Sequence, residues 1–243
     1  TGEVSDVGHG ARRGVVDLGA RIGAKFPDLK ALIAGGGLAE AQALIEHEHG
    51  DLAIDAVTFL PVITNPGKIF CIGHNYEDHR LETKREKTEH PSVFLRYAES
   101  QVGHHQAMLR PQESTMFDYE GEIALVIGKP GRRIAEADAW SHIAGYSCYN
   151  DGSVRDWQWH TTQFAPGKNF FRTGAFGPWM VTADEIAPGA TLSLVTRLNG
   201  EVMQQTDSSM MIFKIPKLIA YCSTFLPLAP GDVIVTGTPG GVG

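Results

Sequence analysis

Asp118-Tyr119-Glu120-Gly121-Glu122-Ile123-Ala124-Leu125-Val126-Ile127 is the stretch on which the fold turns. Its second half is a continuous apolar run that reads as a strand. Strand side chains alternate with period two, so Glu120 and Glu122 point the same way. Like charges on one face of a partly buried strand repel, and burying them without a partner is costly. A divalent cation resolves both problems. Asp151, which ends the strand-like run 145–150, completes an all-oxygen set. Hard oxygen ligands select Mg²⁺, Mn²⁺ or Ca²⁺ over zinc or copper, and three side chains leave positions for water or a bidentate substrate. Taken alone, an E-x-E pattern is more often a solvated strand face.

Outward from this strand, the body reads as many short strands with few helices: 68–72, 93–96, 121–127, 144–150, 192–198 and 232–236. Turns such as Lys129-Pro130-Gly131 and Ala187-Pro188-Gly189 separate several of them. A helix is expected over about 211–225, with Ile212, Ile215, Leu218, Ile219 and Cys222 on one stripe and its start near Pro216. The first sixty residues differ. Helical spacing over 17–26 and 38–46, followed by a strand-like run at 56–60, predicts a small α/β region (1–60) ahead of a catalytic body (61–243). The glycine-rich run after Thr236 is a poor place for a chain to stop, so residues beyond Gly243 are expected.

Composition narrows the function classes. With 42% hydrophobic and 20% charged residues, the 243-residue chain is a globular type with a sizeable core. A net charge of −7 and no basic stripe argue against nucleic acid. No apolar stretch approaches the ~20 residues of a membrane span. Cys71, Cys148 and Cys222 are far apart and lack CxxC spacing, which excludes a disulfide framework and fits a reducing, cytoplasmic setting.

A second cluster follows the strand at 68–72: His74-Asn75-Tyr76-Glu77-Asp78-His79-Arg80-Leu81-Glu82. His79 and Glu82 are neighbours on a helical turn. A carboxylate beside an imidazole orients it and raises its basicity, so the pair could activate water. By spacing alone an exposed charged helix, continuing into Lys84-Arg85-Glu86-Lys87, is the better reading. Packing or solvent exposure is likewise the better reading of the His104-His105 loop pair and of His160 beside Trp157 and Trp159.

Five motifs, in order, resemble the fumarylacetoacetate hydrolase family. Residues 68–79 match its K-I-x-C-x-G-x-N-Y-x-x-H opening, and Glu120-Gly121-Glu122 its metal strand. Asn150-Asp151 with Arg155-Asp156-Trp157-Gln158 resembles N-D-x-x-x-R-D-x-Q; Gly167-Lys168-Asn169-Phe170 and Thr236-Gly237-Thr238-Pro239 resemble G-K-x-F and T-G-T-P. The resemblance runs from about Pro61 to Gly243 and reverses the bland reading of both clusters.

It implies an α+β, predominantly β fold built on a mixed β-roll, usually dimeric and binding Mg²⁺, Mn²⁺ or Ca²⁺. Glu120, Glu122 and Asp151 would be the metal ligands. Lys168 would sit by the substrate oxygens, Gln158 would orient a ligand or water, Thr238 would help hold a substrate carboxylate, and His79 with Glu82 would activate water. Arg96 stands where many relatives have lysine in F-L-K-P; its planar fork suits a substrate carboxylate. Gly152 adds local freedom beside Asp151 without removing a ligand.

The implied chemistry is metal-dependent cleavage of a C–C bond in an acylpyruvate or related 1,3-dicarbonyl 2-oxo acid. The alternative is isomerisation or decarboxylation of a 2-oxo diacid such as oxaloacetate or the 2-hydroxyhepta-2,4-diene-1,7-dioate of aromatic catabolism. Both run through the same enolate, and a purely structural metal is the non-enzymatic rival. Water activation by His79 favours cleavage, so loss of His79 is expected to slow a hydrolase by roughly 10²-fold and to spare an isomerase.

Overall fold

The structure, a computed structural model, describes residues 14–46, 50–84, 86 and 88–243. Arg85 and Lys87 of the charged run lie outside them. Strands β1 (Ile69–Gly73), β2 (Ser92–Arg96), β3 (Gln101–Val102) and β4 (Phe117–Asp118) precede the central β5 (Gly121–Ile127). After it come β6 (Ile143–Asn150), β7 (Ser153–Val154), β8 (Gly174–Phe176), β9 (Val181–Thr182), the hairpin β10 (Ser193–Leu198) and β11 (Glu201–Asp207), and β12 (Val233–Val235). The helices are α1 (Leu18–Ile22), α2 (Leu29–Ala34), α3 (Leu38–Ile45), α4 (Glu77–Glu82), α5 (Arg155–Gln158), α6 (Ala165–Lys168) and α7 (Ile215–Phe225).

One mixed sheet dominates, in the order β2-β1-β12-β5-β6-β8-β3, with β9 also on β6. The β1/β12 and β3/β8 pairs are parallel; the others are antiparallel. Every residue of β5 is buried, which explains its continuous apolar run. Its alternation divides the core. Ile123, Leu125 and Ile127 pack with Leu218, Ile219 and Cys222 of α7, while Ala124 and Val126 pack on the other face with Ile69, Cys71, Val233 and Val235. Burying Leu218 and Ile219 contributes roughly 1.5–3 kcal/mol each, which pins α7 to its face. Pro216 lies in the first turn of α7, where its missing N–H costs no helical bond. Glu122 belongs to the other parity, so the acidic pair faces away from α7.

The N-terminal segment departs from expectation. Residues 56–60 are not a strand: a short 3₁₀ turn (Ile54–Ala56) leads into extended chain without a ladder. Pro61 follows directly, and the Phe59 carbonyl is taken by the Gln106 side chain (2.7 Å) instead of a neighbouring strand. An unforeseen helix, α2, follows Pro27. Asp28 caps it by accepting the Ala31 N–H at 2.7 Å, and Ile33 is buried in the face shared with Ile63 and Ile69.

Candidate metal centre and adjoining cleft

The β5–β6 register builds the acidic site. Gly121 pairs with Asn150, and one step beyond both strand ends the Asp151 N–H donates to the Glu120 carbonyl (2.9 Å). Residues thirty-one apart in sequence thus become lateral neighbours, and Glu122 joins them from the same face. Glu120, Glu122 and Asp151 are all buried, each offering an oxygen within 4.8 Å of the others.

Three cationic side chains surround them. Lys168, delivered by α6 and fully buried, donates from Nζ to Glu120 Oε2 (2.8 Å) and Asp151 Oδ2 (2.7 Å). Arg155, opening α5, donates to Glu120 Oε1 (2.5 Å) and through two nitrogens to Asp118 Oδ2 (2.8 and 2.5 Å). Arg96 donates to Asp151 Oδ1 (2.6 Å), the Gly152 carbonyl, Ser100 and Thr173. Its donors are all taken by protein, and its side chain is buried away from the cleft. The expected role of Arg96 in gripping a substrate carboxylate is therefore corrected: it orients Asp151.

The electrostatics set the three carboxylates apart. Burial alone would raise Glu120, but Lys168 and Arg155 hold it well below the usual carboxylate range. Burial raises Glu122 well above that range, and the charges of Asp151 and Glu120 push it further. Among the described residues Glu122 has no cationic side-chain partner, only the Gly237 N–H. A dication seated among the three oxygens would supply that missing positive charge, so the donor set fits a hard divalent ion.

The remaining expected residues surround this centre. His79, on α4, is buried; its Nδ1 lies 3.6 Å from Glu82 Oε2 and has no hydrogen-bond partner. Burial holds its pKa below the ordinary imidazole value, the Glu120 charge opposing that shift. Glu82 also faces the Gly241 N–H (3.3 Å). Gln158 accepts from Arg155 Nη1 (3.0 Å). The Thr238 hydroxyl donates to the Gly121 carbonyl (2.9 Å) and accepts from Gln204 Nε2 (2.8 Å), so it ties the loop to β5. A small recess touches His79, Glu120, Gln158, Lys168 and Thr238 together. It adjoins an outer cavity of about 710 Å³ that shares His74, His79, Gln158 and Phe164 with it. The rings of His104 and His105 lie 3.8 Å apart at a 41° tilt, and His160 packs on Trp157 at 4.8 Å; neither pair enters a metal-ligand cluster among the described residues.

Several working parts lay outside the expectation. Asp118 continues the same alternation as Glu120 and Glu122, a signal that could have been read as a third same-face carboxylate. Arg155 stood in a quoted motif without a role, and Gln204 carried no local signal.

A family model described as fumarylacetoacetate (FAA) hydrolase C-terminal matches residues 68–243. A mitochondrial oxaloacetate tautomerase of Bos taurus is 42% identical over 189 residues, covering 77% of this chain and 60% of the relative. The 2-hydroxyhepta-2,4-diene-1,7-dioate isomerase of Mycobacterium marinum is 34% identical at a TM-score of 0.68, covering 76% of this chain and 68% of that one. The fumarylpyruvate hydrolase of Pseudomonas aeruginosa, solved with Mn²⁺ and pyruvate, is 29% identical at a TM-score of 0.69, covering 73% and 80%. The chain thus spans about 60% of the length of several curated relatives. The mixed sheet with few helices is the fold of these neighbours, and the buried triad beside a Mn²⁺-bound neighbour points to a divalent metal. Among the described residues no helix is long and apolar enough to cross a membrane.

Proposed function

The chain belongs to the fumarylacetoacetate hydrolase family, and on that premise we propose that it is a divalent-metal-dependent isomerase or tautomerase of a 2-oxo diacid. The carrying observation is a buried carboxylate triad whose Glu120 shares a recess with the buried His79 and Lys168. The similarity to an oxaloacetate tautomerase and a dienedioate isomerase favours moving a proton over cleaving a bond. This reverses the sequence-based preference for hydrolysis.

Glu120, Glu122 and Asp151 would hold the ion, with Mg²⁺ or Mn²⁺ as the species tested first. When bound, it supplies Lewis-acid polarisation of a 2-oxo acid and lowers the cost of its enolate. Lys168 keeps its proton, because Asp151 and Glu120 outweigh the effect of burial, and adds positive charge beside the developing oxyanion. His79, neutral and within the same recess, takes the proton from the carbon next to the keto group and returns it at the new position. Glu82 steadies the imidazolium formed in between. Gln158 is held by Arg155 and lines the wall, and Arg96 fixes the orientation of Asp151. Proton transfer itself needs His79, so its loss is expected to slow an isomerase as well as a hydrolase.

Hydrolysis of an acylpyruvate is the second reading, favoured by the His79–Glu82 pair and the fumarylpyruvate hydrolase neighbour. The separating experiment incubates the Mg²⁺- or Mn²⁺-loaded protein with oxaloacetate, a 2-hydroxydienedioate and acylpyruvates. Enol absorbance decaying without pyruvate release supports isomerisation. Stoichiometric pyruvate from acylpyruvates, with oxaloacetate interconversion at the uncatalysed rate, overturns it.

A further inference from the structure

The inner recess has room for only the chelating end of a substrate, so the rest of the molecule must lie in the outer cavity. That cavity is walled by Met116, Trp159, Phe164 and Val242, with Glu82, Lys84 and Arg155 as its charged residues besides the two histidines. Arg155 is committed to Asp118 and Glu120, and Glu82 is turned to His79 and Gly241. Lys84 is exposed and carries no ion pair among the described residues.

The charge balance of the inner site bears on what Lys84 is for. Asp118, Glu120, Glu122 and Asp151 bring four negative charges against three from Arg96, Arg155 and Lys168. A seated dication leaves one positive charge in excess, which a single carboxylate neutralises. A second carboxylate on the same substrate finds no counter-charge there.

The backbone gives an independent pointer. Lys84 follows α4 with φ +54, donating its N–H to the Leu81 carbonyl (3.1 Å). This left-handed position after a helix end is ordinarily filled by glycine or asparagine. His74, also lining the cavity, has φ +55. Lys84 and His74, both lining the cavity, are thus held at positive φ by the surrounding structure, which fixes the backbone from which each side chain projects.

We infer that Lys84 is the subsite for the distal carboxylate of an extended 2-oxo diacid, whose carbon chain lies along the Trp159 and Phe164 side of the outer cavity. This rests on the function proposed above and adds what that reading leaves open: the end of the molecule that the metal does not hold. Only a chain that extends past the inner recess can bring a second carboxylate into the outer cavity, so Lys84 favours the longer diacids.

Calorimetry on the Mn²⁺-loaded full chain tests this with two unreactive probes, 2-oxoheptanedioate and its monoacid counterpart 2-oxoheptanoate. The diacid is expected to bind about fivefold more tightly, the range of a partly exposed ion pair, and the gap should shrink in 0.5 M salt. Lys84→Asn should abolish the preference while leaving the Tm equal or higher, because asparagine suits the left-handed turn. Equal binding of the two probes to the unaltered protein, or a preference that survives Lys84→Asn, overturns the Lys84 subsite alone. Failure of both probes to bind the Mn²⁺-loaded protein overturns the underlying 2-oxo acid reading and this inference with it.

Discussion

The two halves of the cleft are built to different tolerances. At the end proposed to hold the metal, Glu120, Glu122 and Asp151 sit at the ends of paired central strands, and charge-assisted bonds from Lys168, Arg155 and Arg96 fix Glu120 and Asp151. At the end proposed to move the proton, His79 and Glu82 ride on a six-residue helix, 3.6 Å apart, with Glu82 41% exposed and the following turn at positive φ in Lys84. Charge that must be concentrated needs a preorganised, dry setting. A proton carrier must change state during turnover, which a looser support permits.

Removing a carboxylate proposed to hold the ion should do the most damage. Glu122→Gln is expected to cut turnover by more than about 10²-fold, beyond the 10–100-fold usual for outer-shell partners. Calorimetric ion uptake should vanish with it while the circular dichroism of the fold persists. Unchanged turnover would break the comparison at its rigid end. Next, His79→Ala should lower kcat by roughly 10²-fold with ion uptake intact, and a matching loss of ion binding would show that the two ends are not separable. Glu82→Gln should cost roughly tenfold, the scale for a group that orients a histidine, read as kcat at saturating substrate.

The lowered pKa of His79 fixes the sign of the pH response. Its neutral form survives below the ordinary imidazole value of about 6.5, so the acid limb of kcat/KM should lie under that pH. An acid limb above it would contradict the burial argument. The same shift destabilises the fold as pH falls through about 6.5, because the unfolded chain then binds a proton the folded one lacks. The smallest effect is kinetic. Amide exchange in α4 should outpace that in β5 and β6, and the gap should narrow when a 2-oxo acid is bound.

Much of this was legible because strand parity is a local property. The apolar run from Ile123 announced a strand, and the spacing of Glu120 and Glu122 placed both on one side. The helix after Pro216 was equally plain. Asp151 could be named, but what seats it beside Glu120 is a ladder register that no short window contains. Arg96 was misjudged for a related reason: its five donors are satisfied by Ser100, Asp151, Gly152 and Thr173, partners scattered over more than seventy residues. The supposed strand at 56–60 has adequate propensity and no neighbour to pair with, and propensity is a weak guide when the ladder is missing.

Gln204 of β11 accepts the Gly121 N–H (2.9 Å) and donates to Thr238 Oγ1 and the Pro239 carbonyl, so one amide rivets the outlying hairpin to both the metal strand and the terminal loop. The hairpin also exposes Val195, Leu198 and Val202, and Val195 lines a cavity beside Gly121 and Glu122. Loss of the Gln204 amide would therefore unfasten three separate stretches of chain at once, beside the strand that carries Glu122.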